Sequence, residues 1–129
     1  MIRLEGGMGL LRWFTKNWAN TQEPTHRDLT PLVVPFGYDP AIELLKKAVA
    51  TLPNWQFSPS PASGELRLTR QTGIMAFVDD IVLTLNDSAG ATTIHAASRS
   101  RVGVGDLGQN RRNILELWDA IRRELKTGS

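Results

Sequence analysis

Residues 65–101 read ELRLTRQTGIMAFVDDIVLTLNDSAGATTIHAASRSR. Three runs in this stretch change polarity at every second residue, the period of a strand with one face on a core. Leu66 and Leu68 alternate with Glu65, Arg67 and Thr69; after a turn near Gly73 the longest run extends from Ala76 to Leu85; NDSAG then reverses the chain into a third run, Thr92 to Arg101. Connections this short join antiparallel neighbours. On the long strand Phe77, Asp79, Ile81, Leu83 and Leu85 share a face, so the Asp79 carboxylate points toward the core. On the next strand Ile94, Ala96, Ser98 and Ser100 share the inward face, while His95, Ala97, Arg99 and Arg101 take the other.

Working outward, Leu32 to Phe36 is a short strand that Pro35 confines to an edge, because proline has no N–H for a ladder. Asp39 as N-cap and Pro40 in the first turn start a helix whose Ile42, Leu45, Ala48, Val49 and Leu52 recur at three and four residues until Pro53. Trp55 and Phe57 form a further short strand before the SPSPASG turn. Beyond the third run, a glycine loop leads to a helix with Asp106 as N-cap and Leu107, Ile114, Trp118, Ile121 and Leu125 as its buried stripe. The order strand, helix, four strands, helix predicts an α+β fold: an antiparallel sheet of about five strands with two helices on one face. This arrangement resembles half of a TATA-binding-protein fold or a shortened helix-grip.

Residues 31–129 are expected to form this single domain. Residues 1–30 read as an N-terminal amphipathic helix and a linker. Leu10, Leu11, Phe14 and Trp18 fall at helical spacing over residues 8–19, with Trp13, Arg12 and Lys16 between them. These five apolar side chains are the candidates for contact with a membrane or a partner. From Asn20 to Pro31 the chain turns polar and is expected to be an extended connector.

At 129 residues with 41% hydrophobic content, the chain has material for one core rather than two. It has no cysteine, so disulfides, thiolate metal sites and thiol nucleophiles are excluded. The net charge of +2 is unevenly spread: four cations face three anions in residues 1–38, four face six in 39–97, and seven face four in 98–129. An anionic partner would therefore meet the C-terminal third. No apolar run approaches the ~20 residues of a membrane span, and a secretory signal core is missing. The expected location is cytoplasmic, with peripheral membrane attachment through the N-terminal helix as the variant.

Residues 98–114, SRSRVGVGDLGQNRRNI, concentrate the polar chemistry. Asp79 needs a partner in the interior, and Arg111 lies at helical spacing from Leu107, Ile114 and Trp118. The expected arrangement is a bidentate Asp79–Arg111 pair, or failing that Asp79–Arg101, completed by Ser98 or Ser100. One reading of this network, with Asp106, Asn110 and Arg112 at its margin, is structural: it fastens the last helix to the sheet. The other is a site for a small anionic ligand on the glycine loop and helix N-terminus, with Arg101 and Arg112 supplying charge. Gly103, Gly105 and Gly108 fit G-x-G-x-x-G, but an antiparallel hairpin is the wrong context for dinucleotide binding. Asp79 and Asp80 point to opposite faces and cannot share a substrate. His95 has opposite parity to Ser98 and Ser100, which argues against a triad. No metal ligand set, cofactor or nucleic-acid signature is present; His26 and His95 lack partners at ligand spacing, and aromatics do not interleave with the cations.

The strings LPNWQF, FVDD and SRVGVGDLGQNRRNI, in this order, resemble the family catalogued as domain of unknown function 1499, over roughly residues 31–126. Relatives carry a similar FVDD strand followed by SRVG-x-x-DLG-x-NRRRI. The family occurs in bacteria, cyanobacteria among them, and in chloroplast-targeted plant proteins, and no activity accompanies the resemblance. Two departures stand out. Many relatives have a cysteine-containing stretch where this chain reads WANTQEPTH, and Asn113 stands where relatives have a third arginine. The expected function is that of a non-enzymatic binding or accessory domain, attached to a membrane or to a larger protein complex, a photosynthetic one being among the candidates. The alternative is a small hydrolase or anion-processing enzyme using Asp79, Ser100, Arg101 and Arg111.

Overall fold

The structure is a computed structural model that describes residues 18–21, 29–59, 64–72, 77–101 and 108–127. In chain order its elements are β1 (Trp18–Asn20), β2 (Leu32–Val34), α1 (Tyr38–Ala50), β3 (Trp55–Ser58), β4 (Glu65–Thr72), β5 (Phe77–Ser88), β6 (Ala91–Ser100) and α2 (Gln109–Thr127). Strands β3, β4, β5 and β6 pair antiparallel in sequence order. The far edge of β6 is shared: β2 lies along Thr92–Ile94 and β1 along Ala97–Arg99. Six strands thus make a sheet five positions wide, the α+β arrangement that the alternation predicts.

Between β1 and β2, Thr21 bridges the shared edge. Its N–H donates to the Ala96 carbonyl at 2.9 Å, and its hydroxyl accepts from the Ala96 N–H at 3.0 Å. Two of the three edge strands are bracketed by proline, β2 by Pro31 and Pro35 and β3 by Pro53 and Pro59. Short, proline-bounded edges resist pairing with another chain.

One face of the sheet carries both helices. Leu68, Ile81, Leu83, Leu85, Ile94 and Ala96 are buried beneath Leu45, Ala48 and Val49 of α1 and Ile114, Leu117, Trp118 and Ile121 of α2. These positions alternate along each strand and recur at three and four residues along each helix, so the periodicity alone separates core from surface. The opposite face bears Arg67, Thr69, Asp80, Val82, Thr84, His95, Ala97 and Arg99, all part- or fully exposed, and no described helix or strand lies over it.

Several local expectations change. Helix α1 starts at Tyr38 with Gly37 as N-cap; Asp39 is not the cap but sits in the first turn, where its carboxylate meets the positive end of the helix dipole. Trp18, expected to end the N-terminal helix, is strand paired opposite Arg99, because its neighbour Ala19 fills a core position against the sheet edge. Leu10, Leu11, Trp13, Phe14, and with them the helix itself, lie outside the described residues, as do Asp106 and Leu107. The sheet and core also reach upstream of residue 31. Leu29 is fully buried, and the Thr30 carbonyl accepts a 2.8 Å bond from the Trp118 indole N–H.

The β5–β6 hairpin turns on Ala89 and Gly90, with φ of 54° and 81°, between the paired Ser88 and Ala91. Two consecutive positive φ values match the twist of a hairpin, but they suit asparagine and glycine better than alanine. Ala89→Asn should therefore raise stability by about 1 kcal/mol, read as a higher urea midpoint. Leu29→Ala should lower it by about 2–5 kcal/mol, as expected for a truncated core leucine and not for a linker residue.

Candidate functional site

At the end of the sheet where α2 begins, the layer between helix and strands changes from apolar to polar. Asp79 on β5 and Ser98 and Ser100 on β6 face inward; Asn110 and Asn113, three residues apart on α2, face them from above. The match is geometric, since i and i+3 on a helix and i and i+2 on a strand both repeat by about 5–7 Å. Asp79, Ser98, Asn110 and Asn113 are 2%, 1%, 0% and 0% exposed.

The bonds form a continuous relay. The Gln109 amide N–H donates to Asn113 Oδ1 at 2.7 Å. Asn113 Nδ2 donates to Asp79 Oδ2 at 2.7 Å and to Ser98 Oγ at 3.2 Å. The Ser98 hydroxyl donates to Asn110 Oδ1 at 2.6 Å, and Asn110 Nδ2 donates to Ser100 Oγ at 2.9 Å. Among the described residues no buried side-chain polar atom lacks a partner. A buried polar network is stabilising only when complete, because each orphaned group would retain its full desolvation cost.

The expected Asp79–Arg111 pair is not formed; the donor is Asn113, two residues along. The buried stripe of α2 runs through Asn110, Asn113, Ile114, Leu117, Trp118, Ala120 and Ile121. At about 100° per residue, that stripe is rotated from the one drawn through Leu107, Ile114, Trp118 and Leu125. The rotation brings Asn113 under the helix and leaves Arg111 half-buried on its flank.

Arg101 does not reach Asp79 either. It lies on the outer face, where its Nε and Nη2 donate to the two oxygens of Asp80 at 2.8 and 2.9 Å. First that hydrogen bonding and then the Asp80 charge raise the Arg101 pKa above its ordinary value, so the guanidinium keeps its proton throughout the accessible range. Arg112 is exposed and donates to Gln109 Oε1 at 3.1 Å. Residues 102–107, on which the anion-site reading depends, lie outside the described residues.

A second polar fastening has no counterpart in the sequence reading. Glu116 Oε1 on α2 accepts from Arg70 Nε on β4 at 2.8 Å and from the Trp55 indole N–H on β3 at 2.9 Å. One carboxylate oxygen therefore ties the helix to two strands. The available signal was parity: Trp55 and Arg70 are paired opposite one another and both face the helices.

Chemically, the interior cluster pairs amides, hydroxyls and one carboxylate with one another. The Ser98 proton is committed to Asn110, amides supply the surrounding donors, and His95 stands on the outer face with its Nδ1 3.4 Å from Thr21 Oγ1. Ser98 is bonded to two amide groups, and no base among the described residues stands within hydrogen-bond reach of it, as activation of a nucleophile requires. Asp79 and Ser100 lie on one side of the sheet and Arg101 on the other, so the four residues of the hydrolase alternative cannot address one substrate. No group of histidines and carboxylates among the described residues is arranged to hold a metal ion.

These features define a small α+β domain whose last helix is docked on the sheet through an internal amide–hydroxyl–carboxylate relay. The chain belongs to the family described as protein of unknown function (DUF1499), which matches residues 14–121. That span begins upstream of β1 and so takes in the strand preceding residue 31. No curated protein and no solved structure matches the chain.

Asn113→Ala should cost about 1–3 kcal/mol by removing the donor to buried Asp79 and Ser98. Arg111→Ala should cost clearly less, as urea denaturation of the two variants side by side would show.

Proposed function

We propose that the protein is a non-enzymatic binding or accessory domain that joins a larger protein assembly through the face of its sheet opposite the two described helices. The observation that carries this reading is the division of labour between the two faces. The inward face engages Asp79, Ser98 and Ser100 in the relay beneath α2. The outward face keeps Val82, Thr84 and Ala97 at its centre beside His95, with Glu65, Arg67, Asp80, Arg99 and Arg101 around them. A small-residue centre with charged neighbours suits protein partners, where the centre excludes water and the charges select the partner.

The proline brackets of edge strands β2 and β3 favour recognition through a face over strand addition. The apolar residues of segment 8–17 would add a second contact to the same assembly. No described helix is long and apolar enough to cross a membrane; attachment to a membrane surface is the competing use of the same segment and of the basic C-terminal third.

The test is co-purification from the native cell with cross-linking, comparing the wild-type chain with Val82→Glu, which places a charge at the centre of the outer face. Partner recovery should fall at least roughly tenfold, the scale of a central interface residue, with an unchanged fold by circular dichroism. Full recovery with Val82→Glu overturns the reading. So does wild-type flotation on anionic liposomes without any protein partner, which would assign the surface to a membrane.

A further inference from the structure

The charges of the outer sheet face are unevenly satisfied. On β4, Arg67 Nε donates to Glu65 Oε2 at 2.7 Å. Between β5 and β6, the register places Asp80 directly across from Arg99. Both Asp80 oxygens nevertheless go to Arg101, its diagonal neighbour, at 2.8 and 2.9 Å. A carboxylate gripped at both oxygens by one guanidinium has little left for a second. Arg99 is therefore exposed and has no hydrogen-bond or ion-pair partner among the described residues.

We infer that the partner on this face presents an Asp or Glu carboxylate to Arg99, beside an apolar side chain seated on Val82 and Ala97. The inference rests on the outer face being the docking surface and adds which charge selects the partner and with what chemistry. Ala97 is the next outward residue along β6, about 7 Å from Arg99, and Val82 is paired opposite Ala97. A partner that excludes water from this pair also dehydrates Arg99, and a guanidinium withdrawn from water needs a compensating anion. The planar fork of arginine matches a carboxylate with two parallel bonds.

The charge balance separates a carboxylate from a phosphate surface. Arg67, Arg99 and Arg101 against Glu65 and Asp80 leave one surplus positive charge on the outer face. A bilayer or a nucleic acid rewards several surplus cations and would meet Asp80 one strand away from Arg99. One surplus charge suits one acidic side chain.

The test is cross-linked co-purification with the full-length chain, in which the protein recovered by wild type and lost with Val82→Glu defines the outer-face partner. Recovery of that same protein should fall roughly tenfold with Arg99→Gln and further with Arg99→Glu. Arg123→Gln, which removes another exposed cation without a side-chain partner among the described residues, should leave it unchanged. The urea midpoint of Arg99→Gln should equal that of wild type, so lost recovery cannot come from unfolding. Replacing the cross-linked partner's contacting Asp or Glu by Lys should restore recovery with Arg99→Glu. If Val82→Glu loses the partner while Arg99→Gln keeps it in full, or Arg123→Gln loses as much, the inference falls and the docking face stands. Nuclease treatment that abolishes recovery also overturns it, by assigning the cation to a phosphate. Full recovery with Val82→Glu removes the docking face itself, and the inference with it.

Discussion

The 2.7 Å bond from Asn113 to Asp79 is the constraint around which one end of the molecule is arranged. A carboxyl group in the middle of a sheet's covered face must be given donors or the helix cannot close over it. Here a neutral amide does this, and its remaining polar atoms are matched in turn by Gln109 and Ser98. An arginine from the same helix would have brought a second group with a large desolvation cost into the interior. The amide avoids it, and the relay continues through Asn110 to Ser100.

The two fastenings of α2 act at different depths. The amide relay is buried at Asp79, Ser98, Asn110 and Asn113, whereas the Glu116 contact to Arg70 and Trp55 is partly open to solvent, with 37% of the Glu116 side chain exposed. Between and beyond them, Ile114, Leu117, Trp118 and Ile121 provide the apolar burial that dominates the helix's attachment. Polar groups set where along the sheet the helix sits and how it is rotated, while apolar area supplies most of the binding energy. The rotation also places the cations of α2 on its flanks and outer side instead of in the interlayer.

The sheet separates two roles by parity. Adjacent residues Asp79 and Asp80 are directed to opposite faces, and their partners follow: Asp79 takes an amide in the interior, Asp80 a guanidinium at the surface. Prolines flank two of the three edge strands, β2 and β3. The molecule thus has a buried polar layer under α2 and a mixed, part-exposed face on the other side of the sheet.

Strand alternation, helix periodicity and turn chemistry, all local, determined the order of elements, the antiparallel meander, the inward direction of Asp79, Ser98 and Ser100, and the outward direction of His95, Arg99 and Arg101. Neither β1 nor the burial of Leu29 was legible, because a three-residue strand and an isolated leucine carry no period of their own; their position depends on an edge of β6 supplied some seventy residues later. Periodicity pointed to Arg111 as the partner of Asp79, where the structure has Asn113. Arg111 and Asn113 both lie within reach on a helical wheel, and the choice turns on a rotation of α2 by less than one residue's angular step. Only the packing of Leu117, Trp118 and Ile121 against a twisted sheet sets that angle, so the identity of the internal donor belongs to the tertiary structure.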